Sequence, residues 1–274
     1  MQNVQPLTPK VVSDKSGIKP LNLVGSLLIF GIPAVIMFLS FHLGIPALEK
    51  MGLAPFEAFI VVNTVPVAVM FAVALAAVTA EQSITSAAEF REALRTRMRF
   101  PRLTLKTVLI SIGLYAAVLV VGSLAAMLGR LLIEAQVIPL PQNVPLLLDP
   151  QAQVTVETLT TFVGGQLIGN WGIVLLFGLQ LFFNIAGEEL WWRGYVLPRQ
   201  ELAFGSKAWF IHALLWWGFH AFKWWDMVTV LPIALIISYV AQRTKNNWVP
   251  TIIHLLANSL LVILMLAGVL GLIG

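Results

Sequence analysis

The sequence predicts an all-α membrane protein, a polytopic bundle of about seven transmembrane helices that encloses a polar cavity. Of its 274 residues, 58% are hydrophobic and only 11% are charged, and the mean hydropathy is +0.87. A soluble globular domain is about 45–50% apolar and about 25% charged. The 17 basic and 13 acidic residues cannot cover so much apolar surface, so the excess must face lipid. The chain has no cysteine, which excludes a disulfide framework and a thiolate metal site.

Long apolar stretches follow one another along the chain. A helix needs about 20 mainly apolar residues to cross a hydrocarbon layer about 30 Å thick. We expect spans at residues 21–44, 57–79, 107–132, 170–198, 208–222, 227–241 and 249–273. The fifth and sixth are the shortest, and only residues 223–226 separate them. The first three spans and the loop after them form one predicted region, residues 1–164, and the later spans form a second, residues 165–274.

The basic residues predict the orientation of the bundle. The polar N-terminal tail, with Lys10, Lys15 and Lys19, has no small-residue cleavage pattern after the first apolar run, which argues against a cleaved signal peptide. If this tail is cytoplasmic, the C-terminus lies on the opposite side. All basic residues then face inward, except Lys50, Arg130 and Lys223. This asymmetry and the lipid bilayer account for the net charge of +4, so no nucleic acid partner is expected.

Two of the connections between the spans carry a pattern of their own. Residues 88–100, AEFREALRTRMRF, alternate apolar residues with arginines. They could form a short helix on the membrane surface, but we favour a basic loop that sets the orientation. Residues 134–165 contain four prolines and neither lysine nor arginine, and we expect them to form an outer loop.

Polar and ionisable residues interrupt the last spans. Each such residue costs a few kcal/mol in the membrane and usually faces the interior of the bundle. Helical spacing of four puts the members of each group on one face. Their depths, counted from the span ends, place all three groups in the cytoplasmic half of the membrane. The groups are Glu188, Glu189 and Arg193 on the fourth span, Trp216 and His220 on the fifth, and His254 and Asn258 on the seventh.

Such a cluster supports activation of water. A glutamate in an apolar cavity can serve as a general base, and a neighbouring histidine can hold the water. A second histidine with an asparagine can stabilise the oxyanion that forms when water adds to a carbonyl. Arg193 would neutralise Glu189 and leave Glu188 free. Together these roles amount to peptide hydrolysis without a protein nucleophile.

Simpler interpretations apply to some of these residues. Glu189 and Arg193 could equally be an intrahelical ion pair with a purely structural role. His42 and His212 stand alone, and we interpret them as packed residues. The tryptophans are interpreted mostly as anchors at the membrane interface.

The three motifs, in this order on successive apolar segments, resemble the CPBP intramembrane endopeptidases, the family of type II CAAX prenyl proteases and bacteriocin-processing Abi proteins. The family pattern is EExxxR, FxxxH and HxxxN, and this sequence has GEELWWRG at 187–194, WWGFH at 216–220 and HLLAN at 254–258. Trp216 stands where the family usually has phenylalanine. The resemblance covers residues 165–274 and implies a catalytic helical core there.

The resemblance also implies roles for individual residues. Glu188 and His220 would activate the attacking water, and His254 and Asn258 would stabilise the oxyanion. Glu189 and Arg193 would support the site or touch substrate, and Trp216 would form part of the pocket wall. The family is described as glutamate-dependent with a disputed metal role. The substrate would be a peptide or membrane-associated protein, prenylated or not.

Three alternatives remain open at this point. Some family members act in immunity or assembly, so this chain could be a non-catalytic scaffold that grips a partner helix. A proton-coupled transporter would also use buried glutamate and histidine, but it predicts an internal repeat that we do not find. A divalent ion on Glu188, His220 and His254 is a possible ligand set, which we rank below a site without metal or other cofactor.

Overall fold

A computed structural model describes residues 18–273 and contains only helices and connecting turns within that range. The long helices are α1 (Leu23–Leu39), α3 (Pro55–Glu81), α5 (Leu105–Glu134), α7 (Trp171–Glu188), α9 (Ala208–Phe219), α10 (Met227–Thr244) and α11 (Trp248–Val269). The shorter ones are α2 (Ile45–Lys50), α4 (Ala87–Thr96), α6 (Val156–Val163) and α8 (Leu197–Phe204).

Five helical stretches in the described residues are long and apolar enough to cross a membrane. They are Leu23–Lys50, Pro55–Glu81, Leu105–Glu134, Trp171–Thr244 and Trp248–Val269. The fourth is a bent run of 74 residues that contains α7, α9 and α10, and counting these three separately gives the seven predicted segments. The prediction of an all-α transmembrane bundle is therefore confirmed.

The outer surface of the bundle is apolar, as lipid contact requires. Leu28 on α1, Val65 on α3 and Leu124 on α5 are each more than half exposed. A soluble protein seldom exposes so continuous an apolar surface. The chain is thus an integral membrane protein.

The interior is organised around α7. This helix packs against α3 and α11, while α10 packs against α5 and α9. The approach of α3 to α7 is closest at Gly187, where an added Cβ atom would lie 2.2 Å from the main-chain oxygen of Val67. Only glycine fits there, because any side chain would push the two helices apart. The next residue is Glu188, so this contact fixes its position relative to α3.

Two segments contain helices where we favoured or expected loops. Ser86 caps α4 and accepts a hydrogen bond from the Glu89 main-chain N–H, 3.2 Å away, so the basic inner segment forms the helix that we considered but did not favour. In the 134–165 connection, Thr155 caps α6 in the same way. The local cap sequences, and not the overall polarity of each connection, explain both helices.

The connection after α5 is fastened to the segment between α9 and α10. The indole nitrogen of Trp224 donates to the main-chain oxygen of Pro139 at 2.7 Å. That of Trp225 donates to the main-chain oxygen of Leu148 at 2.9 Å. These two tryptophans, which we interpreted as interfacial anchors, therefore bind the protein's own main chain.

Candidate active site

The first motif lies at a change of helix type. After Glu188 the α-helical path becomes a π-helix, Glu189–Val196, before α8 begins. Such π-helical turns are rare and often occur at functional sites. The wider turn keeps Glu189 and Arg193 on the same side of the chain, with Oε1 and Nη1 3.1 Å apart.

A segment from the N-terminal region supports this π-helix. Pro198 has no N–H to donate to the carbonyl four residues earlier, which belongs to Gly194. Arg97 Nη1 donates to that carbonyl oxygen at 3.1 Å, and Arg97 Nε pairs with Glu81 Oε1 at 2.6 Å. The Met98 side chain fills the space beside Gly194, 2.9 Å from the position of an added Cβ atom. The arginine that we assigned to membrane orientation thus also completes the hydrogen bonding of the helix that carries the first motif.

Both carboxylate oxygens of Glu188 accept hydrogen bonds inside the bundle. Asn184 Nδ2 donates to Oε1 at 3.0 Å, and Trp216 Nε1 donates to Oε2 at 2.7 Å. Glu188 is 2% exposed. A buried carboxylate is costly unless donors compensate it, and these two neutral donors hold it in one orientation.

Glu189 links two other predicted site residues. Its Oε1 lies 2.8 Å from His254 Nδ1 and 3.1 Å from Arg193 Nη1. Arg193 is fully buried, and none of its guanidinium nitrogens makes a hydrogen bond to any of residues 18–273. The guanidinium carbon lies 3.9 Å from the centre of the Trp216 ring. Ion pairing and a cation–π contact therefore hold the arginine.

In both His220 and His254, Nδ1 makes the hydrogen bond within the protein and Nε2 is left free. His220 Nδ1 lies 2.8 Å from the main-chain oxygen of Trp216, so Nδ1 is the donor and Nε2 keeps its lone pair in the neutral ring. His254 Nδ1 faces the Glu189 carboxylate in the same way. Nε2 of each ring is thus available to a substrate or a water molecule.

Trp216 is central to the site. Besides its bond to Glu188, its ring lies edge-on to His220 at 4.9 Å and to His254 at 5.6 Å between ring centres. A phenylalanine could form the ring contacts but could not donate to the carboxylate. The aromatic replacement within the second motif therefore adds a hydrogen bond.

These residues adjoin a cavity of about 230 Å³. Its lining includes five of the seven predicted site residues: Glu188, Trp216, His220, His254 and Asn258. Glu189 and Arg193 do not line it and lie behind His254 and Trp216. Asn258 donates from Nδ2 to the main-chain oxygen of His254 at 3.1 Å, so only its second amide hydrogen is free.

The cavity also has polar lining that we did not predict. Gln180 and Asn184 precede Glu188 at intervals of four on α7, and Asn63 lies on α3. The spacing of Gln180, Asn184 and Glu188 was visible in the sequence, whereas Asn63 carries no recognisable motif. At the start of α10, the ion pair of Lys223 with Asp226, 2.8 Å apart, lies at the edge of the cavity.

Metal binding was the alternative for Glu188, His220 and His254. Among residues 18–273, the structure contains no group of three or more histidine, aspartate and glutamate side chains placed to hold a metal ion. The oxygens of Glu188 already accept from Asn184 and Trp216.

Comparison with known proteins finds a similarity in the C-terminal part of the chain. Residues 170–260 match the family model described as type II CAAX prenyl endopeptidase Rce1-like. The match contains all seven predicted site residues. No curated protein and no solved structure matches the chain. The resemblance of the three motifs to type II CAAX prenyl endopeptidases is confirmed over residues 170–260, about one third of the chain.

Proposed function

We propose that this protein is an intramembrane endopeptidase that hydrolyses a peptide bond of a membrane-associated protein or peptide by means of water activated at Glu188 and His220. The observation that carries the proposal is that the Glu188 carboxylate and the His220 ring line one buried cavity beside Trp216. The family match supports protease activity. A prenylated CAAX sequence is the substrate class to test first.

The reaction begins with a water molecule between Glu188 and His220. The Glu188 carboxylate takes a proton from the water while the lone pair on His220 Nε2 orients it. The water oxygen forms a bond to the carbonyl carbon of the scissile peptide bond, and the carbonyl oxygen becomes an oxyanion. When the carbon–nitrogen bond breaks, the proton held by Glu188 passes to the leaving amine. The products are a carboxylic acid and an amine, and proton transfer from the acid to the amine gives a carboxylate and an ammonium group. No covalent enzyme intermediate is needed.

The oxyanion is stabilised from α11. Asn258 donates its remaining amide hydrogen, and His254 donates from Nε2 when its ring carries a second proton. Glu189 orients the His254 ring through Nδ1 and is itself balanced by Arg193. Glu189 and Arg193 are thus positioning residues in this proposal.

The proposed orientation places the N-terminus in the cytoplasm and the C-terminus on the opposite side. The distribution of basic residues supports it. Fusion of a reporter enzyme to each end, assayed in intact cells, tests this orientation directly.

The decisive experiment uses purified protein in lipid nanodiscs and a quenched fluorescent peptide that ends in a farnesylated CAAX sequence. We expect cleavage by the wild-type protein and its loss in the Glu188→Gln and His254→Ala variants, with both variants still folded and inserted in the membrane. Cleavage by both variants would refute the mechanism. If the Glu188→Gln form instead performs the cellular function, the protein is a scaffold, because the amide keeps the shape of the carboxylate but cannot act as a base.

The metal-free form of the proposal has its own test. Activity after exhaustive chelation should remain, with metal content measured on the same sample. Loss on chelation and recovery with one divalent ion would assign the site to a metal mechanism.

A further inference from the structure

Gln180 is a buried polar residue for which the proposed reaction has no use. It lines the cavity and is 9% exposed. Its side chain makes no hydrogen bond to any residue between 18 and 273. An amide side chain at a cavity wall without a partner from the protein can donate and accept hydrogen bonds within that cavity. The Gln180 amide is therefore available to a ligand that enters the cavity.

Asn63 presents a second amide to the same cavity from α3. Its Nδ2 donates to the main-chain oxygen of Phe59 at 2.9 Å, and its Oδ1 has no partner among the described residues. Since α3 packs directly on α7, the amides of Asn63 and Gln180 reach one cavity from neighbouring helices.

A peptide that is cleaved inside a membrane protein needs such groups. Its main chain must leave the helical conformation at the scissile bond, and each released N–H and C=O then needs a hydrogen-bond partner away from water. An amide side chain offers both a donor and an acceptor, as an unwound main chain requires.

We propose that Gln180 and Asn63 form a binding subsite for the main chain of an unwound substrate segment. This inference rests on the proposed peptidase function and adds the position of the substrate. Gln180 lies eight residues before Glu188 on α7, which is about 12 Å along the helix axis. An extended chain covers that distance in about three to four residues. The subsite thus contacts the substrate three or four residues from the scissile bond and recognises the main chain at that point.

The test measures binding separately from cleavage. In the catalytically inactive Glu188→Gln background, we would measure the affinity for the farnesylated CAAX peptide by fluorescence anisotropy in nanodiscs. Gln180→Leu, and separately Asn63→Leu, should weaken binding about three- to tenfold, as expected for the loss of one hydrogen bond. Gln166→Leu is the matched control, since Gln166 is exposed outside the cavity and its replacement should leave the affinity unchanged.

A peptide with one main-chain N–H replaced by an ester oxygen gives the sharper result. The ester is placed in turn at the third and fourth residues before the cleaved bond and at the third residue after it. At one of these positions the ester should weaken binding to the Glu188→Gln protein. Adding Gln180→Leu to that protein should then cause no further loss of affinity for this ester peptide. A purely structural role for Gln180 would give the same loss with amide and ester at all positions, which would overturn the inference.

Stability supplies an independent readout. Gln180→Leu replaces an unpaired amide at the cavity wall with an apolar group of similar size, so the thermal midpoint should stay the same or rise. A fall of several degrees would show that the residue supports the fold and would overturn the subsite. Absence of binding by the Glu188→Gln protein would also overturn it.

The subsite and the peptidase can fail separately. Binding that depends on Gln180 without cleavage by the wild-type protein would refute only the peptidase. If the protein cleaves the peptide but Gln180→Leu changes neither the KM nor the binding affinity, only the subsite is refuted.

Discussion

The indole nitrogen of Trp216 donates a 2.7 Å hydrogen bond to the carboxylate of Glu188, and so joins α9 to α7 at the group proposed to activate water. The same ring lies against Arg193, His220 and His254. One side chain thereby sets the relative positions of residues from all three motifs.

Trp216→Phe should lower kcat about tenfold to a hundredfold, because a hydrogen bond to a charged group contributes about 1.5–3 kcal/mol. Peptide cleavage measured at saturating substrate would check this. Trp224→Phe is the control, since it removes an indole bond to Pro139 and leaves the cavity intact. Equal kcat values for wild type and Trp216→Phe would show that the bond does not assist the reaction.

Glu189→Gln should destabilise the protein by about 3–5 kcal/mol, because the fully buried Arg193 loses its counter-charge. Chemical unfolding in mild detergent would measure this change. The double variant Glu189→Gln/Arg193→Met should recover part of the stability without recovering cleavage. If the single variant is as stable as wild type, the ion pair does not balance the buried charge.

Gly187→Ala should destabilise the protein by about 1–3 kcal/mol or more, because the alanine Cβ would collide with the Val67 main chain. The same collision should reduce cleavage. Gly178→Ala on the same helix has open space at its Cβ position and should be neutral or stabilising by up to about 1 kcal/mol. Comparison of the two unfolding midpoints separates the collision from helix propensity. Similar midpoints would contradict the close approach of α3 and α7.

Arg97→Met should reduce both stability and cleavage, since Gly194 loses the donor that Pro198 cannot supply. The expected loss of stability is about 1–3 kcal/mol, the usual result of leaving a buried acceptor unpaired. Arg95→Met is the matched control, because Arg95 is an exposed arginine on α4. A reduction of equal size in both variants would point to a general effect of charge.

The N-terminus of α4 should respond to acid. Hydrogen bonds from the main chain and side chain of Thr85, and then from Ser86, hold the pKa of the Glu89 carboxyl below its ordinary value. A lowered pKa in the folded protein means that the cap stabilises α4 above the ordinary pKa of glutamate and is lost as the pH falls through the lowered pKa. Hydrogen exchange should show weaker protection of the first turn of α4 at low pH. In Glu89→Gln, the hydrogen-exchange protection of the first turn of α4 should not change with pH. The same result for the wild-type protein would contradict the prediction.

The sequence predicted the apolar segments and five of the polar and aromatic residues that line the cavity, because both depend on local composition and on spacing along one helix. The features that the sequence did not predict depend on contacts between segments that are distant in the chain. The π-helix after Glu188 depends on contacts from another segment, and the Arg97 bond joins residues far apart in the chain. Gln180 has a visible spacing of eight from Glu188, but its place in the cavity wall appears only in the structure.

The Arg97 contact also bears on protein engineering. A shortened protein that began at residue 165 would contain every motif, yet it would expose the Gly194 carbonyl and leave an empty space where the Met98 side chain packs. It would also uncover the face of α7 that α3 protects. A functional minimal enzyme would therefore have to retain α3 and the basic segment after it. It would also need α1, which packs on α9 and whose Phe30 ring stacks on Trp192.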